Sequence, residues 1–200
     1  MKKPRLLLFD LGNVLVRFEP DKFSKALGLD ARGSQYHYES SVRDLTNRFE
    51  SGKCSTGEYF KLLRTFLDNK FGEETLREAF LSVLTVPIPG MEELVQKATD
   101  RLPSALVSNT NEFHFSSVLS RVRALDFLPK RFLSYQLGVL KPLPEFYQRV
   151  KESERVQPEE MIFIDDVAQN IEAANKAGMT GYQFRDAAKL ERYLKNVGVL

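Results

Sequence analysis

The sequence predicts an α/β fold in which a doubly wound parallel sheet forms the core and an α-helical cap domain is inserted after the first strand. Three observations lead to this prediction. Residues 6–16 form an apolar run typical of a buried strand, and residues 16–87 show a helical pattern of apolar residues. From residue 87 onward, short apolar strands alternate with amphipathic helices. That alternation is typical of a parallel sheet with helices on both faces.

The strands and helices of the core are predicted from the spacing of apolar residues, which form short runs in buried strands and recur every three to four residues in helices. Strands are expected at residues 5–9, 104–107, 131–133, 161–164 and 181–184. Helices are expected at residues 90–98, 112–119, 143–151, 168–177 and 187–196. Residues 1–15 and 88–200 would thus form a Rossmann-like core domain, and residues 16–87 the cap domain.

The cap segment is expected to be almost entirely helical. Leu45 and Phe49 lie at helical spacing, Gly52 follows as a helix end, and Ser55 with Glu58 fits a capping box. A further helix is expected at residues 73–84. More than seventy residues are far too many for an ordinary loop, so we expect a cap over the end of the first strand.

The composition excludes several classes of partner. The chain is 42% hydrophobic and 28% charged with a net charge of +2, and its basic residues are dispersed among acidic ones. This balance does not favour nucleic acid or an anionic membrane, so we expect a small-molecule ligand. The single cysteine, Cys54, cannot form an intrachain disulfide and has no neighbours at zinc-ligand spacing. No segment has membrane-spanning length, and we expect a cytoplasmic monomer or homodimer.

Polar clusters follow four of the predicted core segments. Carboxyl ends of parallel strands meet at one edge of a sheet, where ligands bind, so we expect these side chains to lie close together. The clusters contain Asp10; Ser108 and Asn109; Lys141; and Asp165 and Asp166 with Asn170 one helical turn later.

These residue types suit a metal and a phosphate. Two carboxylates about 4 Å apart repel each other by roughly 4 kcal/mol at an effective dielectric constant near 20, and a divalent cation would relieve this repulsion. Ligand sets made only of oxygen favour Mg²⁺. A hydroxyl and backbone N–H groups before a helix, as at Ser108, can cradle a phosphate, and a lysine can add a point charge. In isolation, helix capping is the better explanation of the Ser108 cluster, and Lys141 alone is a weak signal because most lysines lie at the surface.

Taken together, the clusters resemble the four motifs of the haloacid dehalogenase-like (HAD) hydrolase superfamily over essentially the whole chain. The helical insertion is similar to that superfamily's first cap class, and Phe49-Glu50-Ser51-Gly52-Lys53 resembles its cap signature. The segments with the closest resemblance to bacterial α-D-glucose-1-phosphate phosphatases are Gly12-Asn13-Val14, Ser108-Asn109-Thr110-Asn111, and Asn170-Ile171-Glu172-Ala173-Ala174-Asn175 with Gly178.

The resemblance implies a Mg²⁺-dependent phosphatase that acts on a small phosphorylated metabolite, such as a sugar phosphate, through an aspartyl-phosphate. Asp10 would be the nucleophile. Mg²⁺ would be held by Asp10, the Gly12 backbone carbonyl and Asp166, with Asp165 acting directly or through water. Ser108, the Asn109 N–H and Lys141 would bind the phosphoryl group, and Asn170 would orient the corner that contains the metal and the lysine.

The chain departs from the family pattern at Gly12, where most phosphatases of the superfamily carry an aspartate as general acid and base. Loss of such a group typically costs about 10²- to 10⁴-fold in rate unless another group replaces it. We therefore expect either leaving groups that need little protonation or a substitute acid. The candidates considered for that acid are Glu19, Asp21, His37 and His114.

Two other functions remain open. Gly12 favours a metal-independent dehalogenase of the same fold, which needs no acid at that position. The pair Asp165 and Asp166 opposes this function, because a metal-free site that binds an organic carboxylate gains nothing from two more negative charges. A weakly active member retained as a binding or regulatory protein is the other alternative. The cap has no motif that names a substrate, and the residues considered as specificity determinants are Arg17, Phe18, Tyr36 and Arg43.

Overall fold

Five parallel strands form the central sheet of the protein. The computed structural model describes residues 2–29 and 40–200. The sheet has the strand order β5-β4-β1-β6-β7. Its strands are β1 (Leu6–Phe9), β4 (Ser104–Ser108), β5 (Lys130–Leu133), β6 (Met161–Asp165) and β7 (Thr180–Gln183). The order reverses on either side of β1, as the predicted doubly wound topology requires.

Strand β1 lies at the centre of the sheet, between β4 and β6. Leu8 is in register with Ala105 on one side and with Phe163 on the other. All four residues of β1 are buried, because helices cover both faces of the sheet. Successive side chains alternate between faces, so Leu7 and Phe9 belong to one hydrophobic cluster and the neighbouring leucines to a second.

Helices connect the strands of the core. They are α5 (Met91–Thr99), α6 (Glu112–Val118), α7 (Ser134–Leu137), α8 (Pro144–Ser153), α9 (Ala168–Lys176) and α10 (Ala187–Asn196). Short 3₁₀ segments lie at Arg123–Phe127 and Pro158–Glu160. The sheet and these helices confirm the predicted fold class, and the one-turn helix α7 is an element that the sequence pattern did not predict.

The expectation of an almost entirely helical cap segment is wrong at both of its ends. Strands β2 (Val16–Phe18) and β3 (Leu84–Pro87) form a separate antiparallel ribbon. Val16 pairs with Pro87 and Phe18 with Leu84, across almost seventy residues of intervening chain. Three- and four-residue strands carry too little periodicity to be predicted locally, and only their pairing defines them. The helix predicted at residues 73–84 therefore ends earlier.

The described residues between β2 and β3 include four α-helices. They are α1 (Asp21–Ala26), α2 (Ser40–Glu50), α3 (Thr56–Phe66) and α4 (Glu73–Leu81). The predicted capping box is present, with Ser55 Oγ accepting from the Glu58 N–H and Glu58 accepting from the Ser55 N–H. Gly52, after α2, has a positive φ of 68°. Tyr36 and His37 lie outside the described residues.

One hydrophobic cluster includes residues of the helical segment and of the sheet. Phe49 stacks on Tyr59 with ring centroids 4.3 Å apart, and Phe80 stacks on His114 of the core at 3.9 Å. The predicted division into a core domain (residues 1–15 and 88–200) and a cap domain (16–87) stays a prediction. Within residues 2–29 and 40–200, no helix has both the length and the apolar character needed to cross a membrane.

Candidate active site

The candidate active site lies at the carboxyl ends of β1, β4 and β6. Asp10 follows β1 directly, Ser108 ends β4 and Asp165 ends β6. Strand β1 pairs in parallel with both β4 and β6, so the carboxyl ends of these three strands lie next to one another. The sequence prediction that they meet at one edge of the sheet is what the geometry shows.

Lys141 joins two of the carboxylates. Its Nζ lies 2.7 Å from Asp10 Oδ1 and 2.7 Å from Asp165 Oδ2, and it donates a third hydrogen bond to the Val107 carbonyl at 3.2 Å. The Lys141 side chain is only 2% exposed. An ammonium has three protons to donate, so each of them has an acceptor and the buried charge is compensated.

Asn109 holds the backbone at Lys141 in place. Its side-chain Oδ1 accepts from the Lys141 N–H at 2.8 Å, and its Nδ2 donates to the Lys141 carbonyl at 2.9 Å. The Lys141–Pro142 peptide bond is cis. Because both polar groups of the amide are used, the loop that carries the lysine is tied to the end of β4.

Asp165 is fully buried and fully hydrogen-bonded. Besides Lys141, its oxygens accept from the Val167 N–H at 2.9 Å and from Asn170 Nδ2, which lies 3.0 Å from each oxygen. Asn170 is held in turn, since the Tyr147 hydroxyl donates to its backbone carbonyl at 2.9 Å. Asp165, itself held by Asn170, thus positions Lys141 together with Asp10.

Asp166 extends toward the opening of the site and is half-buried. Its Oδ2 accepts from Asn13 Nδ2 at 3.1 Å. Asn13 has a φ of 54°, in the left-handed region that asparagine tolerates, and its Oδ1 accepts from the Phe18 N–H. The sequence prediction did not identify Asn13 as a site residue, although an asparagine directly after glycine is a signal for such a conformation.

Electrostatic effects at the site are strong because it is buried. In the protein alone, burial raises the pKa of Asp10 to about 7, with Lys141 lowering it and Asp165 raising it. Burial would lower the pKa of Lys141, but Asp10 and Asp165 outweigh that effect and raise it. Burial also raises the pKa of Asp166, against the hydrogen bond from Asn13. A carboxylate group of this kind is stabilised by additional positive charge.

Three carboxylates are close enough to share one cation. Asp10, Asp165 and Asp166 each offer an oxygen, and these oxygens lie within 4.8 Å of one another. Carboxylate and carbonyl oxygens are hard ligands that suit Mg²⁺. The donor set therefore fits the metal that the sequence predicts.

A cavity of about 230 Å³ opens onto these groups. The polar and titratable residues that line it are Asp10, Asn13, Glu50, Ser108, Asn109, Thr110, His114, Lys141, Asp166 and Asn170. Its other lining residues are Leu11, Gly12, Phe18, Leu84 and Val167. A larger groove of about 890 Å³ runs between α8 and α9 but contains none of the three carboxylates.

Of the residues considered as a substitute acid, His114 lines the cavity but is held by other contacts. Asn111 Nδ2 lies 3.3 Å from His114 Nδ1, and His114 Nε2 lies 2.8 Å from the Phe80 carbonyl. Because the Asn111 amide nitrogen can only donate, Nδ1 accepts and Nε2 donates. Burial lowers the pKa of His114 to about 4, so the ring is neutral at pH 7.

Of the other candidates, Glu19 and Asp21 are among the described residues and His37 is not. Glu19 accepts from Thr85 Oγ1 at 2.7 Å on the β2–β3 ribbon, and neither it nor Asp21 lines the cavity. Among the suggested specificity residues, Phe18 lines the cavity, whereas Arg17 and Arg43 do not. Like Asn13, Glu50 lines the cavity without being a predicted site residue, although it falls in the segment that resembles a cap signature.

Comparisons with known proteins agree with this geometry. Residues 4–178 match the model of the haloacid dehalogenase-like hydrolases. The chain is 30% identical over 194 residues to a D-ribitol-5-phosphate phosphatase of Bacteroides thetaiotaomicron, covering 91% of this chain and 92% of that protein. It is 32% identical over 153 residues to a chloroplast flavin mononucleotide hydrolase of Arabidopsis thaliana, covering 76% of this chain and 61% of the other.

A solved structure shares the fold. It is a HAD family enzyme of Bacteroides thetaiotaomicron in complex with magnesium and inorganic phosphate, with a TM-score of 0.79 and 23% identity, covering 92% of this chain and 95% of that one. The chain belongs to the haloacid dehalogenase-like hydrolase family, and the family resemblance seen in its motifs is confirmed.

Proposed function

We propose that this hydrolase is a Mg²⁺-dependent phosphatase that acts on a small phosphorylated metabolite through an aspartyl-phosphate on Asp10. The observation that carries the proposal is Lys141, buried 2.7 Å from both Asp10 and Asp165, with Asp166 beside them. This arrangement holds a carboxylate nucleophile at the mouth of a cavity and concentrates groups that favour a cation and a phosphate there.

In the first step, an Asp10 oxygen would attack phosphorus, forming an O–P bond while the bond from phosphorus to the leaving-group oxygen breaks. The departing oxygen takes up a proton. Water then attacks phosphorus, loses a proton, and releases inorganic phosphate with the Asp10 carboxylate restored. When bound, Mg²⁺ would supply positive charge against the carboxylates and the phosphoryl oxygens. Asp10, Asp166 and the Gly12 carbonyl would hold it.

Ser108, the Asn109 N–H and the Lys141 ammonium would bind the phosphoryl group. Ser108 and Asn109 line the cavity beside Asp10, and Lys141 lies between the nucleophile and Asp165. Since Asp165 already accepts four contacts, from Lys141, Val167 and twice from Asn170, we propose that it reaches the metal through water and chiefly positions the lysine.

A sugar or polyol phosphate is the proposed substrate class. A related protein is a D-ribitol-5-phosphate phosphatase, and the motifs resemble those of glucose-1-phosphate phosphatases. A cavity of about 230 Å³ with polar and charged side chains among its lining residues suits a small hydrophilic ester. Comparing glucose 1-phosphate with ribitol 5-phosphate as substrates distinguishes an anomeric from a primary phosphate.

The test is phosphate release from ribitol 5-phosphate, glucose 1-phosphate, acetyl phosphate and an aryl phosphate, each with Mg²⁺ or with EDTA. We expect activity in Mg²⁺ that EDTA abolishes and that the D10N variant lacks. D44N removes an exposed carboxylate from α2 and should leave activity unchanged. Phosphate release by D10N would contradict the proposal.

Two other outcomes have their own readout. Halide release from 2-haloacids without phosphatase activity would indicate a metal-independent dehalogenase. Binding of phosphate esters without turnover would indicate a binding or regulatory protein. The three buried or half-buried carboxylates oppose the first, because the carboxylate of a haloacid would meet negative charge without a cation.

A further inference from the structure

Gly12 leaves the proposed reaction without the usual proton donor beside the nucleophile. A side chain there would find room, because a Cβ would lie 3.8 Å from Phe18 Cβ and 4.0 Å from Asp10 Oδ2. The chain therefore lacks a carboxyl at this position although a Cβ would fit there without a clash. A poor leaving group, such as a sugar hydroxyl, would need a proton from elsewhere.

Glu50 lines the same cavity as Gly12. It is the last residue of α2, and it lines the cavity together with Asp10, Gly12 and Lys141. Its carboxyl group accepts no hydrogen bond from any residue that the structure describes, whereas Asp10, Asp165 and Asp166 all do. A partly buried carboxyl without a partner at a proposed active site is available to a ligand.

The backbone of this segment is fixed against the core. Ser134 Oγ lies 2.6 Å from the Glu50 carbonyl oxygen and also accepts from the Thr110 N–H at 2.9 Å. Gly52 packs so closely on α7 that a Cβ would overlap the Tyr135 carbonyl oxygen. Both contacts hold the end of α2 at the rim of the cavity, so the position of Glu50 is set by packing.

Glu50 is the titratable group left over once the other cavity residues are assigned. Asp10 is the proposed nucleophile, Asp166 a proposed metal ligand, and Lys141 is held between two carboxylates. Both ring nitrogens of His114 are hydrogen-bonded. Burial raises the pKa of Glu50 to about 7, although Lys141 lowers it, so protonated and ionised forms are both populated near neutral pH.

From this placement we infer that Glu50 is a catalytic residue that donates a proton to the leaving-group oxygen as Asp10 forms the aspartyl-phosphate. The inference rests on the proposed phosphatase function. The proton moves from the Glu50 carboxyl to the oxygen whose bond to phosphorus breaks, so an alcohol departs and a carboxylate remains. That carboxylate can then take the proton lost by the attacking water, which returns Glu50 to its starting state.

The test compares leaving groups in single-turnover experiments with Mg²⁺, which measure the first step alone. The leaving group of ribitol 5-phosphate departs as an alkoxide unless its oxygen receives a proton. The leaving group of 2,4-dinitrophenyl phosphate departs as a stable anion and needs no proton. We expect E50Q to slow release from ribitol 5-phosphate by about 10²-fold or more and to leave release from the aryl ester nearly unchanged. A purely structural role would slow both esters alike.

Two further variants make the result specific. D44N, on the exposed side of the same helix, should react like wild type with both esters. Adding Gly12→Asp to E50Q should restore part of the lost rate with ribitol 5-phosphate, since it places a carboxyl where space exists.

Three results would overturn the assignment of Glu50. They are equal slowing of both esters by E50Q, no slowing of either ester, and a wild-type enzyme that cleaves only esters with good leaving groups. In each of these cases, aryl phosphate release that depends on Mg²⁺ and Asp10 would leave the phosphatase proposal standing. Loss of that release in wild type would instead defeat the phosphatase proposal itself.

Discussion

His114 shows how a single buried side chain can be structural although it borders the cavity. Its ring lies nearly parallel to that of Phe80, at an interplanar angle of 4°, and its Nε2 donates to the Phe80 carbonyl. Phe80 belongs to α4 and His114 to α6, so the contact joins the helical segment to the sheet domain. The ring is held neutral by burial, and protonation at Nδ1 would remove the hydrogen bond that this nitrogen accepts from Asn111 Nδ2.

The pKa of His114 predicts an acid-sensitive contribution to stability. Its pKa is about 4 in the folded protein against an ordinary value of 6.5, so between these values the unfolded chain binds a proton that the folded protein does not. The contribution of His114 to the free energy of unfolding is therefore fully present above about pH 6.5 and is lost as the pH falls toward 4. The loss between pH 7.5 and pH 5 amounts to about 2 kcal/mol.

Urea denaturation of wild type and H114F at pH 7.5 and pH 5 measures this contribution. We expect H114F to be less stable than wild type at pH 7.5, because it loses two hydrogen bonds. The difference in the free energy of unfolding between the two proteins should shrink by about 2 kcal/mol at pH 5. Other groups titrate in both proteins and cancel in the difference. A gap that stays constant with pH would contradict the assignment of His114 as a buried neutral group.

At the scale of elements, the end of α2 and the short helix α7 form the contact that sets the cavity rim. Gly52 has a φ of 68° and lies against the backbone of Tyr135, so neither its conformation nor its space suits another residue. The β2–β3 ribbon pairs the two ends of the helical segment with each other. Together with the contact between Phe80 and His114, the end of α2 and this ribbon fix the helical segment relative to the central sheet.

Gly52→Ala is expected to damage both stability and activity. A left-handed conformation costs a residue with a side chain about 1–2 kcal/mol, and the overlap with the Tyr135 carbonyl adds to it. We expect the free energy of unfolding to fall by about 2–4 kcal/mol. Phosphatase activity should fall as well, because Glu50 moves with the end of the helix.

Gly198→Ala is the matched control for this prediction. Gly198 has a similar φ of 73°, but a Cβ there would meet no atom within 4 Å. It should lose only about 1–2 kcal/mol and keep full activity. Chemical denaturation and kcat/KM of both variants provide the comparison. Equal losses in the two would show that close packing at Gly52 is unimportant.

Three carboxylates and one buried lysine lie together at the carboxyl ends of the central strands. Asp10, Asp165 and Asp166 outnumber the Lys141 ammonium, so the folded protein without metal carries uncompensated negative charge at its centre. Folding brings these groups together, and the unfolded chain keeps them apart in water. A bound divalent cation would therefore stabilise the folded state specifically.

Magnesium should raise the melting temperature of the protein. At a concentration 100 times its Kd, a ligand of the folded state adds about 2.7 kcal/mol, which corresponds to about 5–10 °C for a domain of this size. D166N should lose most of this shift, whereas D100N, which removes an exposed carboxylate at the end of α5, should keep it. Thermal denaturation with Mg²⁺ or EDTA measures the shift. A shift in D166N as large as in wild type would show that Mg²⁺ binds elsewhere.

Much of the site could be predicted because its residues stand at positions with strong local signals. Asp10 ends an apolar run, Asp165 and Asp166 end another, and both runs are long enough to be identified as buried strands. Once the strands are parallel and adjacent, their carboxyl ends must meet. Lys141 could be predicted only together with these clusters, because a lysine before a proline is a weak signal alone.

Other features depend on partners that are distant in sequence and could not be predicted locally. The Glu50 carbonyl meets Ser134 across 84 residues, and His114 meets Phe80 across 34. The strands β2 and β3 exist only as a pair. Helical periodicity places Glu50 at the end of a helix but does not say which side chain of that helix will face the site.

Hydrophobic period and residue chemistry are local properties, so the sequence alone predicted the strands and most of the helices of the core, the carboxylates at the strand ends and the absence of an acid at Gly12. The fold was needed to show that Lys141 is buried between Asp10 and Asp165, that His114 is neutral, and that Glu50 lines the cavity. Burial and charge at a site are sums over neighbours, and neighbours are chosen by packing.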